Sequence, residues 1–345
     1  MKPIPSLTPL GWLYGCGMLL RNLFFEKGIF RSHDVGVPVI SVGNITAGGT
    51  GKTPVVDFLA RHFLEKGKRV AVVSRGYGRS SSGMIVVSDG KEILATAEQC
   101  GDEPLLLARR NPAACVVVDE QRVRGAKFAI KEFNAEVIVL DDGFQHRAIR
   151  RTLDLVLIDA MYPPFHIPML PAGTRRETLS ALGRASGVIL TKADAAANLD
   201  TVKAKIRRYT KVPIFVSRYR PEAFRRAKTG FSINMNSARG KSAVAFCGIA
   251  QPESFRQALV SIGMQIVDFM PFGDHHIFTR EELQRVLESF KKHEASYIVT
   301  TEKDVTRCSD EAGQALIDHE PVFFLEMNVS IDEEKEWQEF LGQVA

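Results

Sequence analysis

The sequence has little of what marks disulfide-rich, membrane-spanning or nucleic-acid-binding proteins. Only five cysteines occur among its 345 residues and none form a Cys-x-x-Cys pair, so we expect reduced thiols in a cytosolic protein. The longest apolar run is about half of the roughly 20 residues that a helix needs to span a bilayer. Zinc-finger and RRM patterns and arginine-rich runs are missing, and we therefore expect no nucleic-acid partner.

What is present is the composition of a packed globular protein. Hydrophobic residues make up 45% of the chain and charged residues 25%, which is typical of a soluble protein with a buried core. The length suits one large domain or two modest ones. A net charge of +5 suits an anionic ligand or an anionic membrane surface, although charge alone does not choose between them.

The stretch from residue 39 to residue 53 carries the strongest signal in the chain. A β-branched run at residues 37–42 predicts a buried strand, a glycine-rich turn follows, and a helix pattern starts at Lys52. This order is the P-loop arrangement, in which backbone N–H groups and the helix N-terminus face phosphate oxygens. The predicted nucleotide-binding residues are Thr46, Ala47, Gly48, Gly49, Thr50, Gly51, Lys52 and Thr53.

Thr46 departs from the motif, which has glycine at that position. Gly48 and Gly49 would supply the backbone freedom instead, and the alternative is a glycine-rich turn without a ligand. In the favoured interpretation, Lys52 reaches the β- and γ-phosphates of a nucleoside triphosphate, and the Thr53 hydroxyl binds Mg²⁺.

A second strand pattern, at residues 136–140, ends in Asp141 and Asp142. A hydrophobic strand that ends in aspartate is typical of a Walker B position, where a carboxylate meets Mg²⁺ beside the P-loop hydroxyl. The predicted metal ligands are therefore Thr53 and Asp141 or Asp142. Asp142 could instead face the reacting hydroxyl, and the alternative for both aspartates is a solvated turn at the end of a strand.

Several basic residues and one tyrosine lie in turns and loops past predicted strand ends, where open α/β sheets bind their ligands. Such side chains suit a phosphate or a sugar phosphate, although an ordinary surface turn could have a similar composition. The predicted substrate-binding residues are Arg75, Tyr77, Arg79, Arg122, Arg124 and Arg176.

Strand and helix patterns alternate from residue 37 to about residue 217. The alternation predicts an α/β fold with a doubly wound parallel sheet like that of P-loop NTPases. A polar, irregular stretch at residues 218–241 precedes a second α/β pattern. We therefore expect an N-terminal apolar segment at residues 1–31, a P-loop core at residues 32–225 and a smaller C-terminal α/β lobe at residues 226–345.

The segment at residues 1–31 combines an apolar run at residues 10–20 with aromatic and basic residues after it. It predicts either a helix packed on the protein's own surface or an interfacial helix whose apolar face enters the headgroup region of a membrane. The residues themselves leave both alternatives open.

A series of motifs along almost the whole chain resembles the tetraacyldisaccharide 4′-kinase family, the lipid A 4′-kinases of Gram-negative bacteria. The motifs are Gly43-Asn44 with the P-loop, Ser74-Arg75-Gly76-Tyr77-Gly78, Gly101-Asp102-Glu103-Pro104, Asp141-Asp142-Gly143-Phe144-Gln145-His146, Leu170-Pro171-Ala172-Gly173, Phe246-Cys247-Gly248-Ile249-Ala250, Asp274-His275-His276 and Thr301-Glu302-Lys303-Asp304.

The resemblance implies transfer of the γ-phosphoryl group of ATP, with Mg²⁺, to the 4′-hydroxyl of a tetraacyldisaccharide 1-phosphate, giving lipid IVA. It also implies a peripheral protein on the cytoplasmic face of the inner membrane, which favours the interfacial alternative for residues 1–31. Lys52, Mg²⁺ and the arginines would then neutralise the charge of the transferring group and of the substrate.

A kinase also has to take the proton of the attacking hydroxyl. The candidates are Asp102, Asp142 and the pair His275-His276. The resemblance implies an Asp102–histidine pair in this role and leaves open which histidine takes part. The alternative for Asp102 is a cap of the helix that is predicted to follow it.

Two other classes of protein fit parts of the sequence. Thr191-Lys192-Ala193-Asp194 looks like the base-reading loop of some P-loop proteins, which would favour a GTPase or a metal-chaperone ATPase. A non-enzymatic membrane adaptor that only binds nucleotide is the other alternative. The carboxylates, histidines and arginines at strand ends argue against an adaptor.

Overall fold

The computed structural model describes residues 4–196, 198–274, 276–308 and 310–344. The chain forms two compact units. The first comprises the residues up to Tyr219 together with those from Val329 onward, and the second comprises Arg220–Asn328. Within the described ranges, no helix is both long enough and apolar enough to cross a membrane.

The first unit begins with helix α1, which covers Thr8–Glu26. The elements that follow in this unit are β1 Val39–Asn44, α2 Lys52–Glu65, β2 Val70–Ser74, β3 Ile85–Asp89, α3 Ala97–Cys100, α4 Asp102–Arg110, β4 Cys115–Val118, α5 Arg122–Phe133, β5 Val137–Asp141, β6 Leu153–Asp159, β7 Gly187–Thr191 and α6 Leu199–Ile206. Short 3₁₀ helices cover Pro5–Leu7, Pro164–His166, Leu179–Arg184 and Ala193–Ala195.

Strand β8, Ile214–Arg226, leads the chain into the second unit. The elements of that unit are β9 Ser232–Ile233, a 3₁₀ helix at Met235–Ala238, β10 Ser242–Cys247, α7 Pro252–Ser261, β11 Gln265–Pro271, α8 Arg280–Lys292, β12 Tyr297–Thr301, α9 Glu302–Arg307 and α10 Glu311–His319. Strand β13, Val322–Ile331, returns to the first unit, where α11 (Glu334–Leu341) and a 3₁₀ turn at Gly342–Val344 follow.

The strands of the first unit lie in the order β8-β7-β6-β1-β5-β2-β4-β3, and all pair in parallel except β3, which is antiparallel to β4. Every residue of β1, β5 and β6 is buried, as expected for strands that helices cover on both faces. Val42 of β1 lies beside Asp141 of β5. Because the strands are parallel, their carboxyl ends share one edge, and this edge carries the P-loop and the carboxylates. The predicted fold class is confirmed.

The C-terminal residues pack in the first unit. Trp337 and Phe340 of α11 belong to the same buried cluster as Val55 of α2 and Phe215 of β8, and the Phe215 and Trp337 rings lie 4.8 Å apart. Burial of each large side chain contributes roughly 2 to 3 kcal/mol. This packing explains why the first unit resumes at Val329, whereas the sequence pattern assigns every residue after 225 to the C-terminal lobe.

The second unit has its own parallel strands, in the order β11-β10-β12-β13, and a short antiparallel pair of β8 with β9. Helices α7 to α10 connect these strands. Phe224 stacks on Phe323 with ring centroids 4.8 Å apart, so the unit has a separate aromatic core.

Candidate active site

The P-loop turn closes against a tyrosine of strand β8. Gly51 precedes α2 with a φ of 83°, in the left-handed region that favours glycine. A Cβ atom at this position would lie 2.0 Å from the Tyr219 Oη atom, and the Tyr219 hydroxyl donates to the Gly51 carbonyl at 3.3 Å. The last turn before Lys52 therefore requires glycine both for its backbone conformation and for space.

The loop at residues 168–177 runs beside the P-loop. The Ala47 N–H donates to the Thr174 carbonyl at 2.6 Å, and Thr46 forms an antiparallel bridge with Arg175. A bridged residue has extended backbone, which any side chain tolerates. Strand-like pairing at the first P-loop position thus accounts for threonine where the motif has glycine.

The Thr191-Lys192-Ala193-Asp194 motif supports the P-loop from its other side. The Lys192 ammonium donates to the Gly49 carbonyl at 2.8 Å, and the Thr191 hydroxyl donates to another P-loop carbonyl, also at 2.8 Å. Asp194, which would read a nucleotide base in the GTPase alternative, accepts a 2.7 Å hydrogen bond from Arg218. These contacts give the motif a role in shaping the phosphate loop.

Two cations hold Asp142, the residue after β5. Arg176 donates hydrogen bonds of 2.8 and 2.9 Å to its two oxygens, and the Lys52 Nζ atom lies 3.6 Å from Oδ1. Burial by itself raises the pKa of Asp142, but the Arg176 hydrogen bonds and the charges of Lys52, Arg176 and Arg122 outweigh burial and lower it well below the usual range. Asp142 is therefore ionised, and each of its oxygens accepts a hydrogen bond from Arg176.

Asp141 has the opposite character. Ser74 donates to its Oδ2 atom at 2.8 Å, whereas the buried Oδ1 atom has no hydrogen-bond partner among the described residues. Burial, followed by the charges of Glu103 and Asp142, raises the pKa of Asp141. A buried carboxylate oxygen without a partner requires an explanation, and a cation facing this oxygen would provide one.

Helix α4 brings two more carboxylates to this unit. Its N-cap is Gly101, with a φ of 91°, so Asp102 is the first helical residue and does not occupy the cap position. The charge of Glu103 raises the pKa of Asp141 and therefore acts at the same edge. Glu103 was not among the predicted site residues, although it stands in the same Gly-Asp-Glu-Pro motif as Asp102.

Two of the predicted substrate-binding arginines are committed to acidic partners just past the end of β4. Arg124 donates to both oxygens of Asp119 at 2.7 and 2.8 Å. Arg79 is paired with Glu120 and donates to the Gly83 carbonyl at 2.6 Å. In this arrangement both side chains brace the loops of the sheet edge.

Other members of the predicted set surround the aspartates or are open to solvent. Arg122 is buried, and burial lowers its pKa even though the charges of Asp141 and Asp142 act in the opposite direction. Arg75 is exposed, and Tyr77 is 83% exposed. Together with Arg176, these residues give the edge a basic character suited to an anion.

His146 lies in this basic group and was not predicted as a site residue. Burial lowers its pKa to about 4, and the charges of Arg122, Arg151, Arg21 and Arg75 act in the same direction. The imidazole is therefore neutral near pH 7, with one nitrogen able to donate and the other able to accept. Its position at the end of the Asp-Asp-Gly-Phe-Gln-His motif was the available signal.

Of the predicted histidine pair, His275 lies outside the described residues. His276 belongs to the second unit, where its Nε2 atom lies 2.8 Å from a Glu282 oxygen and its ring stacks on Phe272 at 4.9 Å between centroids. These two partners orient the ring. That a histidine acts together with Asp102 stays a prediction.

Helix α1 packs on the first unit by one edge. A Cβ atom on Gly11 would lie 3.1 Å from the Met169 carbonyl oxygen, and the Tyr14 hydroxyl donates to the Arg176 carbonyl at 3.3 Å. Large apolar side chains on its other faces are exposed, namely Leu10, Trp12, Leu13, Leu19, Leu20 and Leu23. The packed alternative therefore describes one edge of the helix and leaves an apolar surface uncovered.

The parallel sheet carries a P-loop after its central strand, a lysine at the N-terminus of the following helix and two aspartates at the end of the neighbouring strand. Together these features define a P-loop nucleotide-binding protein. The family model described as Tetraacyldisaccharide-1-P 4′-kinase matches residues 4–345. The chain belongs to this family, so the predicted family and the predicted class of enzyme, a kinase, are confirmed.

Individual proteins agree with the family assignment. The Tetraacyldisaccharide 4′-kinase of Syntrophotalea carbinolica is 42% identical over 87% of this chain and 82% of its own length. The Tetraacyldisaccharide 4′-kinase of Chlorobaculum parvum is 42% identical over 88% of this chain and 84% of its own length. The crystal structure of LpxK from Aquifex aeolicus in complex with ATP matches at a TM-score of 0.81 and 31% identity, over 99% of this chain and 98% of the other. The GTPase alternative is not favoured.

Proposed function

We propose that this chain transfers the γ-phosphoryl group of ATP to the 4′-hydroxyl of a tetraacyldisaccharide 1-phosphate, which forms lipid IVA in lipid A biosynthesis. The observation that carries the proposal is the convergence of Lys52 and Arg176 on Asp142 beside the P-loop. Phosphoryl transfer depends mainly on positioning and on neutralising phosphate charge. Lys52 at the start of α2 and Arg176 in the loop at residues 168–177 would supply both.

The side chains of this edge fit a Mg²⁺ ion, with Asp141 as its protein carboxylate. Asp141 has a buried oxygen without a hydrogen-bond partner in the described ranges, whereas Arg176 donates to both oxygens of Asp142. The Thr53 hydroxyl, buried in the first turn of α2, would be the other protein ligand. Phosphate and water would complete the shell, and the bound ion would neutralise charge on the β- and γ-phosphates.

Asp102 is the better candidate for the catalytic base. Asp142 has a strongly lowered pKa, and a weak base takes a proton inefficiently. Asp102 stands at the start of α4, one residue before Glu103, which acts electrostatically on Asp141. A histidine of the pair His275-His276 would orient Asp102 or accept its proton.

The basic side chains and helix α1 account for an anionic lipid as acceptor. Arg75, Tyr77, Arg122 and Arg176 would bind the substrate phosphate, while Arg79 and Arg124 hold the loops that carry them. The exposed apolar face of α1 would rest in the headgroup region of the membrane. We therefore propose a peripheral location on the cytoplasmic face of the inner membrane, where ATP and a glycolipid are both accessible.

The decisive experiment is to incubate the purified protein with labelled ATP, Mg²⁺ and a tetraacyldisaccharide 1-phosphate in detergent micelles. We expect a labelled bis-phosphorylated lipid. Lys52→Ala should lower kcat by about a hundredfold or more, and Lys66→Ala, an exposed lysine just past the end of α2, should not. ATP turnover without a lipid product, or a near-normal kcat in folded Lys52→Ala, would contradict the proposal.

The membrane assignment has a separate test. A Trp12→Ser, Leu13→Ser double variant removes two of the most exposed apolar side chains of α1 and should sediment less with vesicles that contain anionic phospholipid. Tyr162→Ser, an exposed aromatic outside α1, is the matched control and should sediment normally. Equal sedimentation of the two variants would show that α1 does not bind the membrane.

A further inference from the structure

Asn22 is a buried polar residue on a helix that otherwise exposes apolar side chains. Its side chain is almost fully buried, and its amide donates to Glu177 Oε2 at 2.9 Å. Its side-chain and backbone oxygens accept hydrogen bonds from Arg147 Nη1 at 3.2 and 3.1 Å. An interfacial anchor does not require such a residue, because its contacts with a membrane are apolar on one side and solvated on the other.

The two partners of Asn22 belong to the loops that form the active site. Glu177 directly follows Arg176, is fully buried, and also accepts a 2.9 Å hydrogen bond from Arg184. Arg147 lies in the segment that continues from Asp142. Asn22 of helix α1 thus joins the loop that carries Arg176 to the loop that carries Asp142.

A neighbouring residue strengthens the same connection. The Arg21 guanidinium donates to the Gln145 carbonyl at 2.6 Å. Arg21 and Arg147 both lie over the Phe25 ring, each 5.2 Å from its centroid. The inner edge of α1 therefore contacts the Asp142 loop through side-chain donors, a backbone carbonyl and an aromatic ring.

We infer that Asn22 is a positioning residue for phosphoryl transfer, which ties helix α1 to the pair formed by Arg176 and Asp142. The inference rests on the proposed reaction. A bidentate arginine–carboxylate pair acts only in a narrow range of geometries, and a displacement of about 1 Å can cost a hundredfold in rate. The helix that presents the apolar surface would thereby also set the geometry of the catalytic cations.

A merely structural role would give a different result, and Asn111 supplies the matched control. Asn111 is also a buried asparagine of the first unit, and it donates to Asp57 at 2.7 Å and to the Leu107 carbonyl at 3.1 Å. Replacing either asparagine by alanine removes a buried amide that joins two elements. Only Asn22 joins the loops of the active site.

The experiment measures kcat, KM and thermal stability for Asn22→Ala and Asn111→Ala, with the lipid in detergent micelles so that membrane partitioning does not enter. Both variants should lose stability. Asn22→Ala should lower kcat by about tenfold and change KM for ATP by less than about twofold, because binding groups stay in place while their alignment loosens. Asn111→Ala should keep its kcat. Equal kcat values for both variants would overturn the inference.

A double variant shows whether Asn22 acts through Arg176. In an Arg176→Ala background, Asn22→Ala should have no further effect on kcat, because the pair that it positions is already broken. An undiminished effect in that background would contradict the inference. If Asn22→Ala is poorly folded at one temperature, the single and double variants can both be assayed at a lower temperature, and their kcat values can still be compared.

Hydrogen exchange separates this inference from the proposed reaction. Amide exchange at residues 142–147 and 174–178 should rise in Asn22→Ala and stay unchanged in Asn111→Ala. If the wild-type protein forms no lipid product, the proposed function fails while the exchange result still tests the link. Unchanged exchange in Asn22→Ala would refute the link even if the kinase is active.

Discussion

Each unit of this molecule has a buried aspartate just beyond or at the carboxyl end of a strand, and the two aspartates differ in how their oxygens are satisfied. Asp304 in the second unit accepts hydrogen bonds from Arg307 at 3.0 Å, from the Gly248 N–H at 3.1 Å and from the Thr301 hydroxyl at 2.5 Å. Asp141 in the first unit accepts one from Ser74, and its other buried oxygen has no hydrogen-bond partner in the part of the chain that the structure describes.

The difference teaches that a strand-end carboxylate is not by itself a ligand site. Burial raises the pKa of both groups. At Asp304, hydrogen bonds and the Arg307 charge act against burial, so the carboxylate connects neighbouring loops. At Asp141, the charges of Glu103 and Asp142 add to burial, and the charge of Lys52 and one hydrogen bond from Ser74 act against it. A cation facing Oδ1 would therefore stabilise this carboxylate.

The largest effect is expected for Asp141→Asn. Losing the carboxylate that would bind Mg²⁺ should lower kcat by about a thousandfold. The same change should raise the free energy of unfolding by about 1 kcal/mol, because it removes a buried, incompletely paired charge. Kinase assays across a range of Mg²⁺ concentrations and urea denaturation measure the two effects. Normal activity with normal Mg²⁺ dependence would show that the Walker B hypothesis is wrong.

Asp102→Asn should lower kcat by about a hundredfold with little change in KM for ATP, as expected for the loss of a general base. Stability should hardly change, because Gly101 and not Asp102 is the N-cap of α4. Glu98→Gln, in the first turn of α3, is the control and should stay active. An active Asp102→Asn protein would move the search for the base to other groups at this edge.

Asp304→Asn should act on stability where Asp141→Asn acts on rate. The side chain of its partner Arg307 is buried. Replacing the charged carboxylate weakens the hydrogen bonds that it accepts, which costs about 2 kcal/mol. The free energy of unfolding should therefore fall, opposite in sign to the change expected for Asp141→Asn. Glu288→Gln, an exposed residue of α8, gives the baseline. A stability equal to that of wild type would remove the contrast between the two aspartates.

The smallest effect concerns pH. The pKa of Asp141 is raised in the folded state. At pH values between the ordinary and the raised pKa, the folded protein therefore holds more protons than the unfolded chain. Its free energy of unfolding therefore falls as pH rises through that window. The stability difference between Asp141→Asn and wild type, measured without Mg²⁺, should grow by about 1 kcal/mol from pH 4 to pH 7. A stability difference that stays constant with pH would show that the pKa of Asp141 is not raised by folding.

Several parts of the site could be predicted from the sequence because local pattern dictates them. The P-loop is one, since a buried strand, a glycine-rich turn and a helix start lie next to one another in the chain. Glu103 and His146 were missed although both stand inside recognised motifs, because their effect depends on which charges surround them in space. Likewise, Arg79 and Arg124 looked like substrate ligands until their pairing with Glu120 and Asp119 was visible.

The sequence by itself determined the parallel α/β sheet, the P-loop and the family, because hydrophobic periodicity and short motifs act over neighbouring residues. Only the tertiary structure decided that both oxygens of Asp142 accept hydrogen bonds from Arg176, whereas one buried oxygen of Asp141 has no partner in the described part of the chain. Arg176, which makes that difference, lies 34 residues away in the chain. The same holds for Asn22, whose partners Glu177 and Arg147 are 155 and 125 residues distant. Hydrogen bonding and desolvation depend on three-dimensional neighbours, and these form only when the chain has packed.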